Sequence, residues 1–261
     1  MEFDFEKYHG AGNDFLIADI RNHASPLSAD RIAKLCNRHF GVGADGMILL
    51  EESSTHDFRM RYYNADGGEA TLCGNGGRCI VAFAHRHGII RDQACFLAAD
   101  GEHRANILEV DGSVYLISLD MGDIQAASWV GDSIFLDTGS PHLVQIADHL
   151  QDLDVIEKGR ALRYDPAFSP GGTNVNFIQA DATGIHIRTY ERGVEDETLS
   201  CGTGSTAAAI GWAIRYEAGS PVELMARGGK LRVHFRREGN IFRDVRLEGP
   251  AEFVFSGKTI I

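Results

Sequence analysis

Two cysteines followed by glycine-rich turns are the residues best suited to chemistry. Cys73 opens the segment Cys-Gly-Asn-Gly and Cys201 opens Cys-Gly-Thr-Gly, each just ahead of a predicted helix N-terminus. The free amides and dipole of a helix N-terminus stabilise negative charge, so a thiol there ionises more readily than free cysteine, whose pKa is about 8.5. Glycines also let the backbone approach a ligand closely. The pattern therefore predicts two thiols that can exchange protons with a bound anion.

Two chemically similar acid/base groups suit the inversion of a stereocentre. Such a reaction needs a base on one face of the reacting carbon and an acid on the other, and cysteine serves as either. Backbone amides aimed at the substrate carboxylate would stabilise the developing charge without an organic cofactor. We therefore expect Cys73 and Cys201 to form an acid/base pair that needs no cofactor.

The other three cysteines, Cys36, Cys79 and Cys95, are interpreted as small buried hydrophobic residues. An odd number of cysteines in a chain without secretory features argues against a disulfide framework. Neither reactive cysteine belongs to a C-x2-C pair, so no metal site is expected.

Alternating apolar and polar residues predict that strands are abundant, as at 114–119, 185–190 and 231–235. Helical signals are fewer, and two of them directly follow the reactive cysteines. The predicted helices run from a Ser28 N-cap to near Gly41, from Gly77 to His87 and from Thr203 to Glu217.

The sequence also contains an internal echo at an offset of 127 or 128 residues, as between Arg61 and Arg188 or between Cys73 and Cys201. A strand, a loop, a cysteine, a glycine turn and a helix occur in that order twice. The echo predicts two similar α+β halves that face each other across a cleft, with a boundary near Leu119.

Composition narrows the class of partner. The 261 residues include 37 acidic and 25 basic side chains, a formal net charge of -12 that disfavours nucleic acid and anionic lipid. The sequence shows neither the roughly 20 consecutive apolar residues of a membrane helix nor a signal peptide. We expect a cytoplasmic protein that acts on a small molecule, with no nucleic-acid or membrane partner.

Taken together, seven short motifs in order resemble the diaminopimelate epimerase family over essentially the whole chain, from near Phe5 to Phe255. They are His-Gly-Ala-Gly-Asn-Asp-Phe from His9, Asn-Ala-Asp-Gly from Asn64, Cys-Gly-Asn-Gly from Cys73, Gly-Ser-Pro-His from Gly139, Thr-Asn-Val-Asn-Phe from Thr173, Tyr-Glu-Arg-Gly from Tyr190 and Cys-Gly-Thr-Gly from Cys201.

This resemblance implies an α+β fold of two pseudo-symmetric α/β halves, each a curved sheet around a central helix, with the active site in the cleft between them. The last strand is expected to cross back, so that residues 1–118 plus 249–261 form the half with Cys73 and residues 119–248 the half with Cys201. The family implies a homodimer that interconverts LL- and meso-2,6-diaminopimelate without cofactor or metal, in lysine and peptidoglycan precursor synthesis.

By motif match, Cys73 and Cys201 are the catalytic pair, with His142 and Glu191 as supporting groups. The matched substrate-binding residues are Asn13, Asn64, Gly74, Asn75, Asn174, Glu191, Arg192, Gly202 and Thr203. Two positions depart from the family pattern: Gly46 replaces a substrate-contacting Gln, and Ser140 replaces an Asn.

Three other functions compete with this reading. A proline or hydroxyproline racemase would share the architecture, but the Gly-Asn-Asp-Phe and Asn-Ala-Asp-Gly motifs argue against it. The paired cysteines argue against a phenazine-biosynthesis-like isomerase of the same fold. From another class, the two cysteines could form a redox switch in a non-catalytic ligand-binding protein.

Overall fold

The structure, a computed structural model, describes residues 2–21, 27–125 and 127–260. The chain forms two compact units, one built from the residues up to Leu119 together with those from Gly249, the other from Asp120–Glu248. No helix in the described ranges is long and apolar enough to cross a membrane.

The described residues of the first part of the chain form eight strands and two helices. They are β1 (Glu2–Gly10), β2 (Asn13–Asp19), α1 (Ala29–Cys36), β3 (Gly46–Glu51), β4 (Phe58–Asn64), β5 (Glu69–Ala70), α2 (Gly74–Arg86), β6 (Gln93–Ala98), β7 (Gly101–Asp111) and β8 (Val114–Ile124).

Within the ranges that the structure describes, the second part contains nine strands, two helices and one turn of 3-10 helix at Pro166–Phe168. They are β9 (Ala127–Val130), β10 (Ser133–Asp137), β11 (Pro141–Ile146), α3 (Val155–Arg163), β12 (Asn174–Asp181), β13 (Gly184–Glu191), β14 (Asp196–Thr198), α4 (Gly202–Tyr216), β15 (Val222–Ala226), β16 (Gly229–Glu238) and β17 (Ile241–Ile260).

The two units repeat one strand topology. In the first, β2 and β3 pair in parallel, β4 is antiparallel to β3 and β5, and β4 pairs in parallel with β6. In the second, β11 and β12 are parallel, β13 is antiparallel to β12 and β14, and β13 pairs in parallel with β15. The sequence echo thus corresponds to a repeated mixed sheet, which agrees with the predicted fold class.

A buried helix lies at the centre of each sheet. α2 packs against β1, β2, β3 and β7, while α4 packs against β10, β11, β12, β13, β15 and β16. Every residue of α2 from Gly74 to Ala84 is buried, and so is every residue of α4 from Gly204 to Gly211. A helix buried on all sides is fixed by its surroundings, so the residues at its N-terminus have a defined position.

The structure confirms the predicted strands and the two helices that follow the cysteine turns. The first helix is shorter than predicted, since α1 ends at Cys36 instead of near Gly41. Ser28 is its N-cap residue, but its side chain makes no capping hydrogen bond, so the expected side-chain cap is wrong.

Close packing of α3 on β13 depends on Gly159. A Cβ atom at this position would lie 2.3 Å from Cβ of Tyr190, a fully buried residue of the core cluster that includes Val155 and Phe177. Tyr190 directly precedes Glu191 and Arg192, so this contact also supports the backbone of two predicted site residues.

We expect Gly159→Ala to destabilise the protein by about 1 to 3 kcal/mol because the added methyl group overpacks Tyr190. The same change in an exposed helix normally stabilises by about 0.5 to 1 kcal/mol. Urea unfolding measures the difference, with Gly219→Ala as control, since a Cβ there meets no heavy atom within 4 Å. An unchanged or higher stability of Gly159→Ala would contradict the packing.

Candidate active site

Cys73 is the N-cap residue of α2, in an extended conformation with φ -95° and ψ 123°. Its thiol is half-buried and donates to Oδ1 of Asn13 over 3.5 Å. The same oxygen accepts from Nδ2 of Asn75 at 3.2 Å, while Asn13 donates to Asp45 Oδ2 at 2.8 Å. Cys73, Asn13 and Asn75 thus form one hydrogen-bonded cluster at the start of the helix.

A fully buried arginine, Arg78, holds the first turn of α2 in place through hydrogen bonds. Arg78 donates to the side-chain oxygen of Asn75 at 2.8 Å, to the carbonyl of Gly74 at 3.1 Å and to the carbonyl of Pro250 at 3.3 Å. Burial lowers the pKa of Arg78, and these acceptors offset the cost of enclosing its charge. The guanidinium therefore ties the first turn of α2 to the last strand of its own unit.

Ion pairs support Asn13 on its other side. Asp14 pairs with Lys7 at 2.6 Å and with Arg38 at 2.7 Å, and Arg38 also reaches Asp45 at 2.7 Å. Burial by itself would raise the pKa of Asp14, but the hydrogen bonds from Arg38 and Lys7 outweigh it and hold that pKa well below its usual range. The β1–β2 turn that presents Asn13 is thereby anchored.

Asn64 lies at the end of β4, directly opposite Gly46 of β3. A Cβ at position 46 would lie 2.6 Å from Cε2 of Tyr62 and 2.6 Å from the carbonyl oxygen of Tyr63. The ring of Tyr62 therefore fills the space beside Asn64 that a side chain at position 46 would need, which gives the first departure from the family pattern a physical cause.

Cys201 is the N-cap residue of α4 and is only 8% exposed. Its sulfur accepts from the amide of Gly204 at 3.4 Å and lies 3.4 Å from the hydroxyl of Thr203. A Cβ on Gly204 would lie 2.5 Å from Asn176 Oδ1 and 3.3 Å from the sulfur of Cys201. Gly204 therefore has to be glycine for Asn176 and the Cys201 thiol to pack this closely against the turn.

His142 stands beside Thr203 in the same unit. Its Nε2 lies 2.9 Å from the Thr203 hydroxyl and 3.0 Å from the Ser140 hydroxyl. Burial, assisted by the charge of Arg192, lowers the pKa of His142 to about 3, so the ring is neutral at pH 7. His142 is thus linked to Cys201 through one hydroxyl group.

Asn174 connects this cluster to the backbone at Arg192. Its amide donates to the carbonyl of Pro141 at 2.9 Å and to the hydroxyl of Ser140 at 3.3 Å, and its oxygen accepts from the Arg192 amide at 2.8 Å. Arg192 is half-exposed, and Glu191 is the half-buried last residue of β13. Ser140 therefore keeps a polar role although it departs from the family pattern.

Each unit holds one cluster of the predicted residues. Asn13, Asn75 and Cys73 are joined by hydrogen bonds in the first, with Gly74 in the same turn and Asn64 on β4. In the second, Cys201, Thr203, His142, Asn174 and the Arg192 backbone are joined, with Gly202 in the turn and Glu191 next to Arg192. Supporting residues that sequence reasoning missed include Asp45, Arg78 and Asn176. Asn176 had a signal, since it lies in the Thr-Asn-Val-Asn-Phe motif, two residues after Asn174.

Comparison with known proteins identifies the family of the chain. The family model described as diaminopimelate epimerase matches residues 5–127 and 134–254. The chain belongs to the diaminopimelate epimerase family. Among curated relatives, the diaminopimelate epimerase of Flavobacterium psychrophilum is 49% identical over 252 residues, covering 95% of this chain and 97% of its own. That of Chlorobaculum tepidum is 42% identical over 257 residues, covering 95% and 98%.

More distant solved structures share the fold of this diaminopimelate epimerase family member. A PhzF-family phenazine biosynthesis protein of Bacillus anthracis superposes with a TM-score of 0.77 at 16% identity, over 100% of both chains. A hydroxyproline epimerase of Agrobacterium vitis gives a TM-score of 0.71 at 14% identity, over 99% of this chain and 92% of its own. At these identities the likeness shows the fold alone.

Among the residues that the structure describes, one group of side chains outside those matched to the diaminopimelate epimerase motifs has metal-ligand chemistry: His56, Cys95 and Glu102. His56 Nε2 lies 3.0 Å from Glu102, which also pairs with Arg104 at 2.9 Å. Arg104 thus already neutralises the carboxylate, and none of the three residues belongs to either cluster.

The remaining cysteines differ in burial. Cys36 and Cys79 are buried, as predicted, whereas the prediction of a buried Cys95 is wrong. Cys95 is half-exposed because its strand β6 pairs with β7 and places it opposite the exposed Arg104. Burial raises the pKa of Cys36 to about 11 and the pKa of Cys79 still further.

We expect iodoacetamide at pH 8 to alkylate Cys73 at least tenfold faster than Cys36 or Cys79. With a pKa of about 11, only about 0.1% of Cys36 is thiolate at pH 8, and burial excludes the reagent. Peptide mass spectrometry over a time course measures each site, and labelling in denaturant, where all five should react, is the control. Equal labelling of Cys36 and Cys73 in the native protein would contradict the difference.

Proposed function

We propose that this chain is an isomerase that interconverts LL-2,6-diaminopimelate and meso-2,6-diaminopimelate, in lysine and peptidoglycan precursor synthesis. The observation that supports it most directly is the repeated site: each unit places a cysteine at the N-cap of its central helix, followed by glycine. Family membership supports the substrate, since curated relatives up to 49% identical are named diaminopimelate epimerases.

In the proposed mechanism, Cys73 and Cys201 act on opposite faces of the substrate α-carbon. The thiolate of one removes the α-proton and becomes a thiol, and the thiol of the other delivers its proton to the opposite face and becomes a thiolate. The configuration is inverted and the two cysteines exchange protonation states. The reverse reaction uses the same groups in exchanged roles, so the chemistry requires no cofactor and no metal.

Amide groups at the helix N-termini are proposed to hold the reacting carboxylate. In α2 the first helical hydrogen bond runs from Gly77 to the carbonyl of Cys73, so the amides of Gly74 and Asn75 precede the helical ladder. Gly202 and Thr203 occupy the same positions in α4. Donors fixed before the reaction stabilise the negative charge that develops as the α-proton leaves.

The far end of the substrate is a second amino-acid group, which Asn13, Asn64, Asn174, Glu191 and Arg192 are proposed to bind. A guanidinium can hold a carboxylate with two parallel hydrogen bonds, and the amides can hold the rest of the group. His142 and Glu191 are proposed to support the thiols. We also propose that the protein is a cytoplasmic homodimer, as the family resemblance implies. The acidic net charge of -12 supports the absence of nucleic-acid and anionic membrane partners.

The decisive experiment is α-proton exchange in deuterium oxide with LL-diaminopimelate. We expect Cys73→Ala and Cys201→Ala each to lower kcat/KM for epimerisation by at least about a hundredfold, because each direction needs one thiolate and one thiol. Cys36→Ala is the matched control and should remain active. Near-normal epimerisation by Cys201→Ala would refute the two-thiol mechanism, and turnover of proline instead of diaminopimelate would point to a racemase of another specificity.

A second experiment addresses recognition of the far end. Arg192→Lys keeps the positive charge but loses the planar fork, so we expect kcat/KM for LL-diaminopimelate to fall by the equivalent of roughly 2 to 5 kcal/mol. That loss corresponds to about 30-fold to several-thousand-fold. Lysine lacks the far carboxylate, so the wild-type protein should turn it over poorly. Comparable wild-type efficiency on lysine and diaminopimelate would exclude this role for Arg192.

A further inference from the structure

His142 is fully buried and makes hydrogen bonds through both ring nitrogens. On one side, Nδ1 lies 3.1 Å from Nδ2 of Asn176. On the other, Nε2 lies 2.9 Å from the hydroxyl of Thr203 and 3.0 Å from that of Ser140. The neutral ring has one proton, on either Nδ1 or Nε2. Its position determines which group donates in each hydrogen bond that links His142 through Thr203 to Cys201.

The orientation of the Asn176 amide is determined by its other neighbours. Its nitrogen lies 3.3 Å from the carbonyl oxygen of Leu143, a group that can only accept. Its oxygen accepts from the hydroxyl of Thr189 at 3.0 Å. The NH2 group therefore faces Leu143, and its second hydrogen is directed at Nδ1 of His142.

A nitrogen that accepts a hydrogen bond cannot also hold the proton of a neutral imidazole. Nδ1 is therefore unprotonated, and the proton lies on Nε2, where it is donated toward Thr203 and Ser140. The Ser140 oxygen also accepts from Asn174 at 3.3 Å and cannot donate back to a protonated Nε2. Its own hydrogen is left for the Thr203 hydroxyl, 3.4 Å away.

Thr203 thus receives hydrogen bonds from two sides. With its lone pairs engaged by His142 and Ser140, its hydrogen is directed at the remaining hydrogen-bonding neighbour of the hydroxyl, the Cys201 sulfur at 3.4 Å. A hydrogen bond donated to sulfur favours the thiolate over the thiol.

We propose that Asn176 is a positioning residue: it fixes the tautomer of His142 and thereby directs the hydroxyl hydrogen of Thr203 at the sulfur of Cys201. This role rests on the proposed function only in that Cys201 acts as an acid/base. Asn176 has no exposed surface, so it acts through His142 rather than on the substrate.

The tautomer of His142 can be measured by NMR, independently of catalytic activity. In protein labelled with 15N-histidine, the His142 signals, assigned by their loss in His142→Gln, should show an unprotonated Nδ1 and a protonated Nε2. Asn176→Asp keeps the shape of the side chain but replaces the donor with an acceptor, so the proton should move to Nδ1. The Thr203 hydroxyl would then turn toward Nε2, and kcat/KM for diaminopimelate should fall by about tenfold to a hundredfold.

Thr189→Val is the matched control because it removes a buried hydrogen bond from the same amide but leaves both N–H donors of Asn176 in place. It should keep the wild-type tautomer and a kcat/KM within about threefold of wild type, even if its stability falls as much as that of Asn176→Asp. Equal loss of activity in both variants with an unchanged tautomer would assign Asn176 a purely structural role and overturn the proposal.

A protonated Nδ1 in the wild-type spectrum would overturn the proposal by itself, whether or not Asn176→Asp folds. If the wild-type protein showed the expected tautomer but did not epimerise diaminopimelate, the proposed function would fail while the fixed tautomer stood. If epimerisation were normal and the tautomer reversed, only the role of Asn176 would fail.

Discussion

The position of each proposed catalytic thiol depends on the packing of one buried helix. A cysteine at an N-cap cannot move unless the helix moves, and both α2 and α4 are enclosed by the sheet of their own unit. The same placement aligns free amides beside the sulfur, because the first turn of any helix has donors without helical acceptors. Core packing and site geometry are therefore one constraint.

The two thiols share a backbone arrangement but differ in the groups around them. Cys73 is half-buried and meets an amide network anchored by the buried cation Arg78, whereas Cys201 is nearly enclosed and meets hydroxyls backed by the neutral ring of His142. Buried polar groups of this kind are costly when unpaired, so each network restricts its members to a few geometries. The two cysteines therefore occupy the same place in a repeated topology but lie in different electrostatic environments.

Sequence reasoning identified the fold class because two signals were local: alternation in strands such as β8 and β13, and glycine turns before α2 and α4. It also placed Cys36 and Cys79 in the core, because free cysteine behaves as a small hydrophobic residue. It misjudged Cys95, since the exposure of a residue in a strand depends on its cross-strand partners, here Arg104 of β7, and on what covers that face.

The supporting residues were harder to predict. Arg78 looks like a surface residue in sequence, and nothing local shows that three acceptors, one of them the distant Pro250, surround its guanidinium. Asn176 and His142 are 34 residues apart and meet only because β11 and β12 pair in parallel. The pairing of β11 with β12 is set by the tertiary structure. The direction of the hydrogen bonds from Asn176 through His142 to Thr203 therefore follows from the fold rather than from any motif.

The contact between Tyr62 and Gly46 restricts how this site can change over evolutionary time. Any side chain at position 46 would clash with the Tyr62 ring and with the backbone of Tyr63. Most single substitutions there would therefore destabilise the fold, whatever they did for substrate binding. A smaller residue at position 62 has to arise first, together with a shift of β4 relative to β3. The two positions are epistatic, and lineages that hold this tyrosine are expected to retain the glycine even where the rest of β3 diverges.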